Sequence, residues 1–396
     1  MLGMQEGEAM DAERGDPPSR PERCSLAELA RLFGRLGVTA FGGPAAHIAM
    51  MRHELVSVRG WLAEDDFLDL VGASNAIPGP TSTEVALHVG RRRAGGWGLL
   101  LAGTAFIVPA AVIMGVLAWF YVRYGRTPVI EEVFAGVKPV VVAIVAQAVA
   151  SFARTAVKSW RLALIGAAAL GAYLAGVTEP LLLFGAAALA AVLAVRPART
   201  APFLVMLAGV APPPRSGASL GALAWVFLKA GALLFGSGYV LLAFLQHDLV
   251  STHHWLSSSE LLDAIAIGQF TPGPVFTTAT FVGYLLAGVP GAAVATVAIF
   301  LPSFVMVAAL EPLVSRMRRS PVTAAALDGL NVAAVALMAG VTWHLGQDAI
   351  ASAATALLAV AALAVLLIWR LNPAWLVAGG IGVGLAAYLL GLPLAG

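Results

Sequence analysis

From residue 26 onward the chain is a succession of apolar stretches with short polar joins, at 26–50, 97–121, 137–153, 162–177, 180–195, 223–245, 291–310, 328–345, 350–369 and 374–391. A stretch of about 20 residues in helical form reaches across the roughly 30 Å of bilayer hydrocarbon. In hydrocarbon every backbone N–H and C=O must be satisfied within its own segment, so such stretches become helices. Charged residues make up 12% of the chain, against about 25% in soluble domains. That is too little polar material to cover a water-soluble globule of 396 residues. The sequence predicts an all-α, polytopic integral membrane protein.

Two more apolar segments, 66–95 and 260–287, are interrupted by Pro78-Gly79-Pro80 and Pro272-Gly273-Pro274. These breaks reveal an internal repeat. Sliding the chain by 194 residues carries Phe33 onto Phe227, Arg35 onto Lys229, Gly37 onto Gly231, Phe41-Gly42 onto Phe235-Gly236 and Trp61-Leu62 onto Trp255-Leu256. The same slide superposes the two Pro-Gly-Pro triplets. After a one-residue slip, Gly90 meets Gly283, Pro109 meets Pro302 and Gly136 meets Gly329. Glycine, proline and tryptophan do not recur at a nearly constant offset by chance. The expected organisation is a disordered tail over 1–25, a first transmembrane repeat over 26–196, a Pro/Arg-rich cytoplasmic linker over 197–222 and a second repeat over 223–396.

Composition also excludes function classes. Net charge is +2 and no basic run is interleaved with aromatics, which argues against nucleic acid as a partner. The single cysteine, Cys24, rules out an internal disulfide and a thiolate metal cage. No cofactor-binding or metal motif is present, and no catalytic constellation that would make the chain an enzyme. The first 25 residues lack the basic-then-apolar layout of a secretory signal. Lys and Arg in short loops set orientation. They place the loops holding Arg91-Arg92-Arg93, Arg154, Lys158 and Arg161, Arg196, Arg199 and Arg215, and Arg316, Arg318 and Arg319 in the cytoplasm, with 178–180, 246–260 and 346–349 outside. If each broken segment is a re-entrant hairpin, each half has five full spans, and an odd number of crossings inverts one half relative to the other. The loop 122–138 must then lie outside despite Arg123, Arg126 and Lys138.

The Pro-Gly-Pro breaks are the leading candidate site. Proline interrupts the helix, and glycine lets a ligand approach the backbone. Thr81, Ser82 and Thr83 follow the first break and suit a helix start. A half-helix beginning at mid-membrane presents free N–H groups and a positive dipole end, the arrangement that binds anions. The alternative is a structural kink. Arg35 and Lys229 sit at equivalent positions about nine residues into their spans. Two cations and two helix N-termini would suit a doubly charged anion; the alternative is snorkelling to the headgroups. Phe41-Gly42-Gly43-Pro44 and Phe235-Gly236 serve either close packing or a substrate path. Asn75 and Gln269 precede the breaks at matching positions and carry amide donors. Glu84, one turn past the first break, is either a proton carrier or a helix-dipole cap, and Thr278 replaces it in the second half.

FGRLGVTAFGGP (33–44), NAIPGPTSTEVALHVG (75–90) and their second copies FLKAGALLFGSGY (227–239) and GQFTPGPVFTTATFVGYLLAG (268–288) resemble the CHR family of chromate ion transporters in its long, two-domain form. The resemblance covers nearly everything after residue 25. It implies chromate efflux and chromate resistance in a bacterium, with sulfate as a related anion. It also places Arg35, Phe41, Gly42, Gly43, Pro44, Asn75, Pro78, Gly79, Pro80, Glu84, Lys229, Phe235, Gly236, Gln269, Pro272, Gly273 and Pro274 in the motifs. Ser237 departs from the glycine more usual there. The residues themselves select a small, divalent anion rather than chromate. The expected protein is a secondary transporter of the bacterial inner membrane that exports chromate on the membrane potential or a proton gradient. A sulfate or other oxyanion importer or exchanger is the alternative, and a homodimer is open.

Overall fold

The computed structural model describes residues 24–194 and 219–394, apart from 42, 75–76, 235–240, 318–319, 370 and 393. Nearly all of the expected tail and most of the expected linker lie outside these residues. The described chain is helical throughout. The first half contains α1 (Leu26–Thr39), α2 (Gly43–Arg52, continued by a π-helical turn His53–Val58), α3 (Glu64–Ser74), α4 (Thr81–Tyr124), α5 (Pro128–Ala156), α6 (Trp160–Leu174) and α7 (Glu179–Ala194). The second half contains α8 (Leu220–Leu233), α9 (Leu241–Leu245, continued by a π-helical turn Gln246–Thr252), α10 (Ser258–Phe270), α11 (Thr278–Met317, preceded by a 3-10 turn Val275–Thr277), α12 (Pro321–Ala349), α13 (Ala353–Trp369) and α14 (Pro373–Leu390).

The sequence repeat is a structural repeat down to its local devices. Ser25 caps α1 by accepting from Glu28 N–H, and Ser219 caps α8 by accepting from Ala222 N–H. Both α5 and α12 run for 29 residues with proline in the first turn, where its missing N–H costs nothing. Helix α4 breaks at Ala94–Gly95 and α11 at Ala287–Gly288, with Gly95 at φ 64° and Gly288 at φ 61°. At these glycines the chain reverses. A β-carbon at Gly98 would strike the Gly90 carbonyl, and one at Gly291 would strike the Gly283 carbonyl. Each long helix is therefore two arms in backbone contact.

Five helical segments are long and apolar enough to cross a membrane: Thr81–Tyr124, Pro128–Ala156, Val275–Ala309, Pro321–Ala349 and Pro373–Leu390. Shorter apolar helices are α6, α7, α8 and α13. Large apolar side chains such as Leu357 (71%) and Val289 (70%) are exposed, as hydrocarbon requires. Trp97, Trp160 and Trp375 are exposed near helix ends, the position of interfacial aromatic residues.

The stretches 26–50 and 223–245, expected as full spans, are not continuous helices. Helix α1 has 14 residues, about 21 Å at helical rise, and ends at Ala40, whose backbone is extended. The chain then doubles back. Arg35 meets Glu54 at 2.5 Å, and Arg59 meets Glu28 at 2.6 Å. These pairs require α1 and the α2 segment to run antiparallel, as a hairpin. Lys229 meets Asp248 at 2.6 Å in the second half, so α8 and the α9 segment also lie side by side. Each half thus carries two successive re-entrant hairpins, followed by the second arm of the kinked helix and three more helices. The hairpins' open ends share a face: the Arg59 and Arg93 guanidiniums both lie over the Trp61 ring.

The halves are interwoven and inverted. Helix α7 packs on α12 and α14 on α5; α6 packs on α12 and α13 on α5. These are the same contacts exchanged between halves. The equivalent helices α4 and α11 lie against each other and run antiparallel: Arg91 donates to Val307 O at 2.6 Å near one end, and Tyr121 packs on Phe281 at 5.4 Å near the other. Loops that charge assigned to one side lie together. Lys158 meets Asp328 at 2.7 Å on the arginine-bearing face, and His247 meets Glu179 at 3.1 Å on the opposite face.

Gly98→Val and Gly291→Val should each cost on the order of 1–3 kcal/mol by forcing the two arms apart, whereas Gly96→Ala, which would meet nothing within 4 Å, should be neutral. Thermal unfolding of the purified protein in detergent checks this.

Candidate functional site at the hairpin tips

Four helix breaks meet in the interior. Ala40 and Leu234 terminate α1 and α8, leaving C-terminal carbonyls that no further turn can satisfy. The Pro-Gly-Pro loops supply the donors. Gly273 N–H donates to Ala40 O at 2.9 Å, and Gly79 N–H donates to Leu234 O at 2.7 Å. The 194-residue offset carries one bond onto the other, so they are a single interaction exchanged between halves. Both glycines have positive φ, +140° at Gly79 and +91° at Gly273, a region that side chains avoid. Neither has room for one: a β-carbon at Gly79 would strike Ser303 Oγ and the Glu84 carboxylate, and one at Gly273 would strike Ala110.

The helix starts at these loops are treated differently from the helix ends. Pro80 precedes α4 and Pro274 precedes the turn entering α11, and neither provides a side-chain cap. A proline side chain has no oxygen to offer; the Pro80 carbonyl accepts from Thr83 N–H at 2.8 Å and Glu84 N–H at 3.1 Å, and the Pro274 carbonyl from Thr277 N–H at 2.9 Å. The C-terminal ends of α1 and α8 are neutralised by glycine N–H groups from the opposite half, while the N-terminal ends of α4 and α11 have no side-chain cap. Pro78, Gly79, Pro80 and Thr81 through Gly90 are buried, as are Gln269 and Thr271 through Phe281. The two tips are one side chain apart. His47 on α2 bonds Ala40 O through Nε2 at 3.0 Å and approaches Ser82 Oγ through Nδ1 at 3.4 Å. It is 2% exposed.

Glu84 lies one turn into α4 with no exposed surface. Its Oε1 faces Ser303 Oγ of the second half at 3.5 Å, and its Oε2 has no hydrogen-bond partner. A buried carboxylate in this setting is costly unless something arrives to share its charge or proton.

The cations are placed otherwise than expected. Arg35 is half exposed and bound to Glu54; Lys229 is a quarter exposed and bound to Asp248, which is buried. Each is a neutralised ion pair repeated at the 194-residue offset, not a free charge awaiting a dianion. Recurrence of an acid at 54 and 248 was the available sequence signal. His47 and Ser303 had none, because Leu241 and Ala110 stand at their repeat positions. Phe41 is 42% exposed. Gly43, at φ 78°, opens α2, with Pro44 as its second residue. Gly42, Asn75, Phe235 and Gly236 lie outside the described residues.

On the face of Glu179, a cavity of 650 Å³ opens between the halves, lined in part by Arg126, Glu131, Lys138, Glu260, Asp263 and Asp348. The basic residues of loop 122–138, which fitted the charge rule poorly, are here balanced by acids.

The sequence model of a family described as "Chromate transporter" matches residues 27–211 and 221–385. The chromate transport protein of Cupriavidus metallidurans is 32% identical over an alignment covering 92% of this chain and 94% of that protein. The probable chromate transport protein of Synechococcus elongatus is 31% identical, covering 86% and 89%. The chromate transport protein of Pseudomonas aeruginosa is 31% identical, covering 83% and 82%. No solved structure matches the chain.

If the Lys229–Asp248 pair is structural, Lys229→Ala will strand a buried carboxylate and destabilise the protein by about 3 kcal/mol, and Lys229→Ala with Asp248→Ala will recover most of that loss. Unfolding curves of the two variants measure it; equal instability of single and double variants would contradict the pairing.

Proposed function

Since the chain belongs to the chromate transporter family and is a multi-pass protein of the bacterial inner membrane, we propose that it exports chromate and that the hairpin tips are where the anion binds. The observation that supports this most directly is the asymmetry of the helix breaks. Two buried helix N-termini meet the interior with proline in the capping position, while the carbonyl ends beside them are neutralised by Gly79 and Gly273. Such a centre is positively polarised without a charged side chain and suits a tetrahedral dianion. Pro78, Gly79, Pro80, Thr81, Gln269, Pro272, Gly273 and Pro274 surround it, and Ser82 and His47 join them. Arg35 and Lys229 act through their ion pairs by holding the hairpins closed.

Direction follows from the field. A dianion leaving a negative-inside cell gains roughly 4–5 kcal/mol at 100 mV, so export needs no second ion, and it would confer chromate resistance. Glu84 supports an additional proton route, since it is the buried acid nearest the tip. Sulfate has the same charge and shape, and competes in this reading.

The arginine-bearing face is cytoplasmic in this proposal. Because every hairpin returns to its own face, a half crosses the bilayer an even number of times. Inverted halves then put Ala194 in the cytoplasm and Ser219 outside, in place of a linker with both ends in the cytoplasm.

Inverted vesicles containing the protein should accumulate radiolabelled chromate when the interior is made positive, and excess sulfate should reduce that uptake. Gly79→Ala should abolish it. Glu84→Gln should leave potential-driven uptake within about twofold but remove any response to a pH gradient. Absence of accumulation by correctly folded protein would refute export. Ser219→Cys in a Cys24→Ser background should react with an impermeant maleimide in intact spheroplasts; reaction only in inverted vesicles would refute the orientation.

A further inference from the structure

The two halves share one fold but are not packed alike. Along the repeat offset, α3 corresponds to α10. Helix α10 is buried from Leu261 to Gln269 and packs against α5, α12 and α14. Helix α3 packs against α4, and its equivalent surface is open: Leu68 is 55% exposed where Leu262 is 0%, and Asp69 is exposed where Asp263 is 5%. Glu64, Asp65 and Asp66 in its first turn make α3 unsuited to lipid. Its open face belongs in water.

A lock holds α10. Asp263 accepts from the Tyr121 hydroxyl at 2.6 Å and meets Lys138 Nζ at 3.2 Å. Lys138 also donates to Ser259 at 2.6 Å. The lock ties the second half's hairpin to α4 and α5 of the first. By the offset, the same lock on the other face would join Asp69 to residues 331 and 314. Those are Asn331 and Val314, which supply neither the charge nor the hydroxyl.

We infer that Lys138, Tyr121 and Asp263 form the outer gate of an alternating-access cycle, and that this structure is its locked state, in which the tips are buried, with α3 poised to close onto α12 and α7 as α10 releases. The sidedness rests on the orientation proposed above; the gate does not. Because the repeats are inverted, exchanging the two packings between halves generates the opposite state, with α10 released and α3 packed, from contacts the fold already makes. The sequence difference at the two locks sets the resting bias: Asp263, Tyr121 and Lys138 make a charged, hydrogen-bonded lock, and Asn331 and Val314 offer no equivalent charge or hydroxyl to Asp69.

The test moves the lock and reads position rather than transport. In a Cys24→Ser background, Leu68→Cys and Leu262→Cys are labelled separately with an impermeant maleimide, in inverted and right-side-out vesicles. With the native lock, Leu68→Cys should label rapidly in inverted vesicles and Leu262→Cys should be silent. Combining Lys138→Asn with Asn331→Lys should slow labelling at Leu68→Cys at least fivefold and make Leu262→Cys reactive from the outside. An unchanged pattern in a monodisperse double variant overturns the gate. If that variant does not fold, Lys138→Asn alone should raise outside labelling of Leu262→Cys, and no rise overturns it equally. Chromate flux is not part of this readout, so a labelling switch without chromate transport would refute the cargo and leave the gate standing.

Discussion

A helix that stops inside a bilayer leaves carbonyl and amide groups where no water can reach them, and this chain stops its helices at four interior points. The whole arrangement depends on how those groups are satisfied. Gly79 N–H reaches Leu234 O and Gly273 N–H reaches Ala40 O, so each half satisfies the backbone of the other. Neither half can close its own first hairpin in hydrocarbon alone. Interweaving of α7 and α14 with the opposite half's long helices follows the same logic at larger scale. The glycines are required twice over, by positive φ and by the lack of space for a β-carbon.

The electrostatics of the centre come from backbone rather than from side chains. Arg35 and Lys229 are spent on Glu54 and Asp248, which leaves oriented helix ends as the source of positive potential. A dipole end is fixed by the fold and cannot swing toward a wrong partner. The titratable groups break the symmetry. His47 and Glu84 belong to the first half, opposite Leu241 and Thr278 in the second. The backbone frame is duplicated, whereas the proton-bearing groups beside it are not.

A duplicated fold with unequal packing is also a natural description of a machine with two states. The hairpin of the second half is clamped between helices of both halves, and its counterpart is not. In the proposed cycle the difference traces to a few residues at equivalent positions, Lys138 against Asn331 and Tyr121 against Val314.

Much of this was legible in the sequence. Sparse charge and long apolar stretches dictated membrane helices, because hydrocarbon permits little else. The constant offset of glycine, proline and tryptophan dictated the repeat, and the paired Pro-Gly-Pro breaks located the buried centre around Pro78–Thr81 and Gln269–Pro274. Charge bias in the loops grouped those that meet at Lys158 and Asp328; the cytoplasmic linker it also implied lies mostly outside the described residues. What the sequence could not give was the course of the chain through space. Stretches 26–50 and 223–245 are apolar enough to read as spans, and hydropathy is indifferent to whether a helix continues or doubles back. Only the tertiary pairs Arg35–Glu54, Glu28–Arg59 and Lys229–Asp248 reveal hairpins, because they join residues that a straight span would hold far apart. The same holds for the acceptors at Ala40 and Leu234, for Ser303 against Glu84, and for the unequal burial of α3 and α10. The sequence determined which residues must leave water and that they do so twice; the tertiary structure alone decided which half satisfies which, since that depends on distances between segments about 200 residues apart.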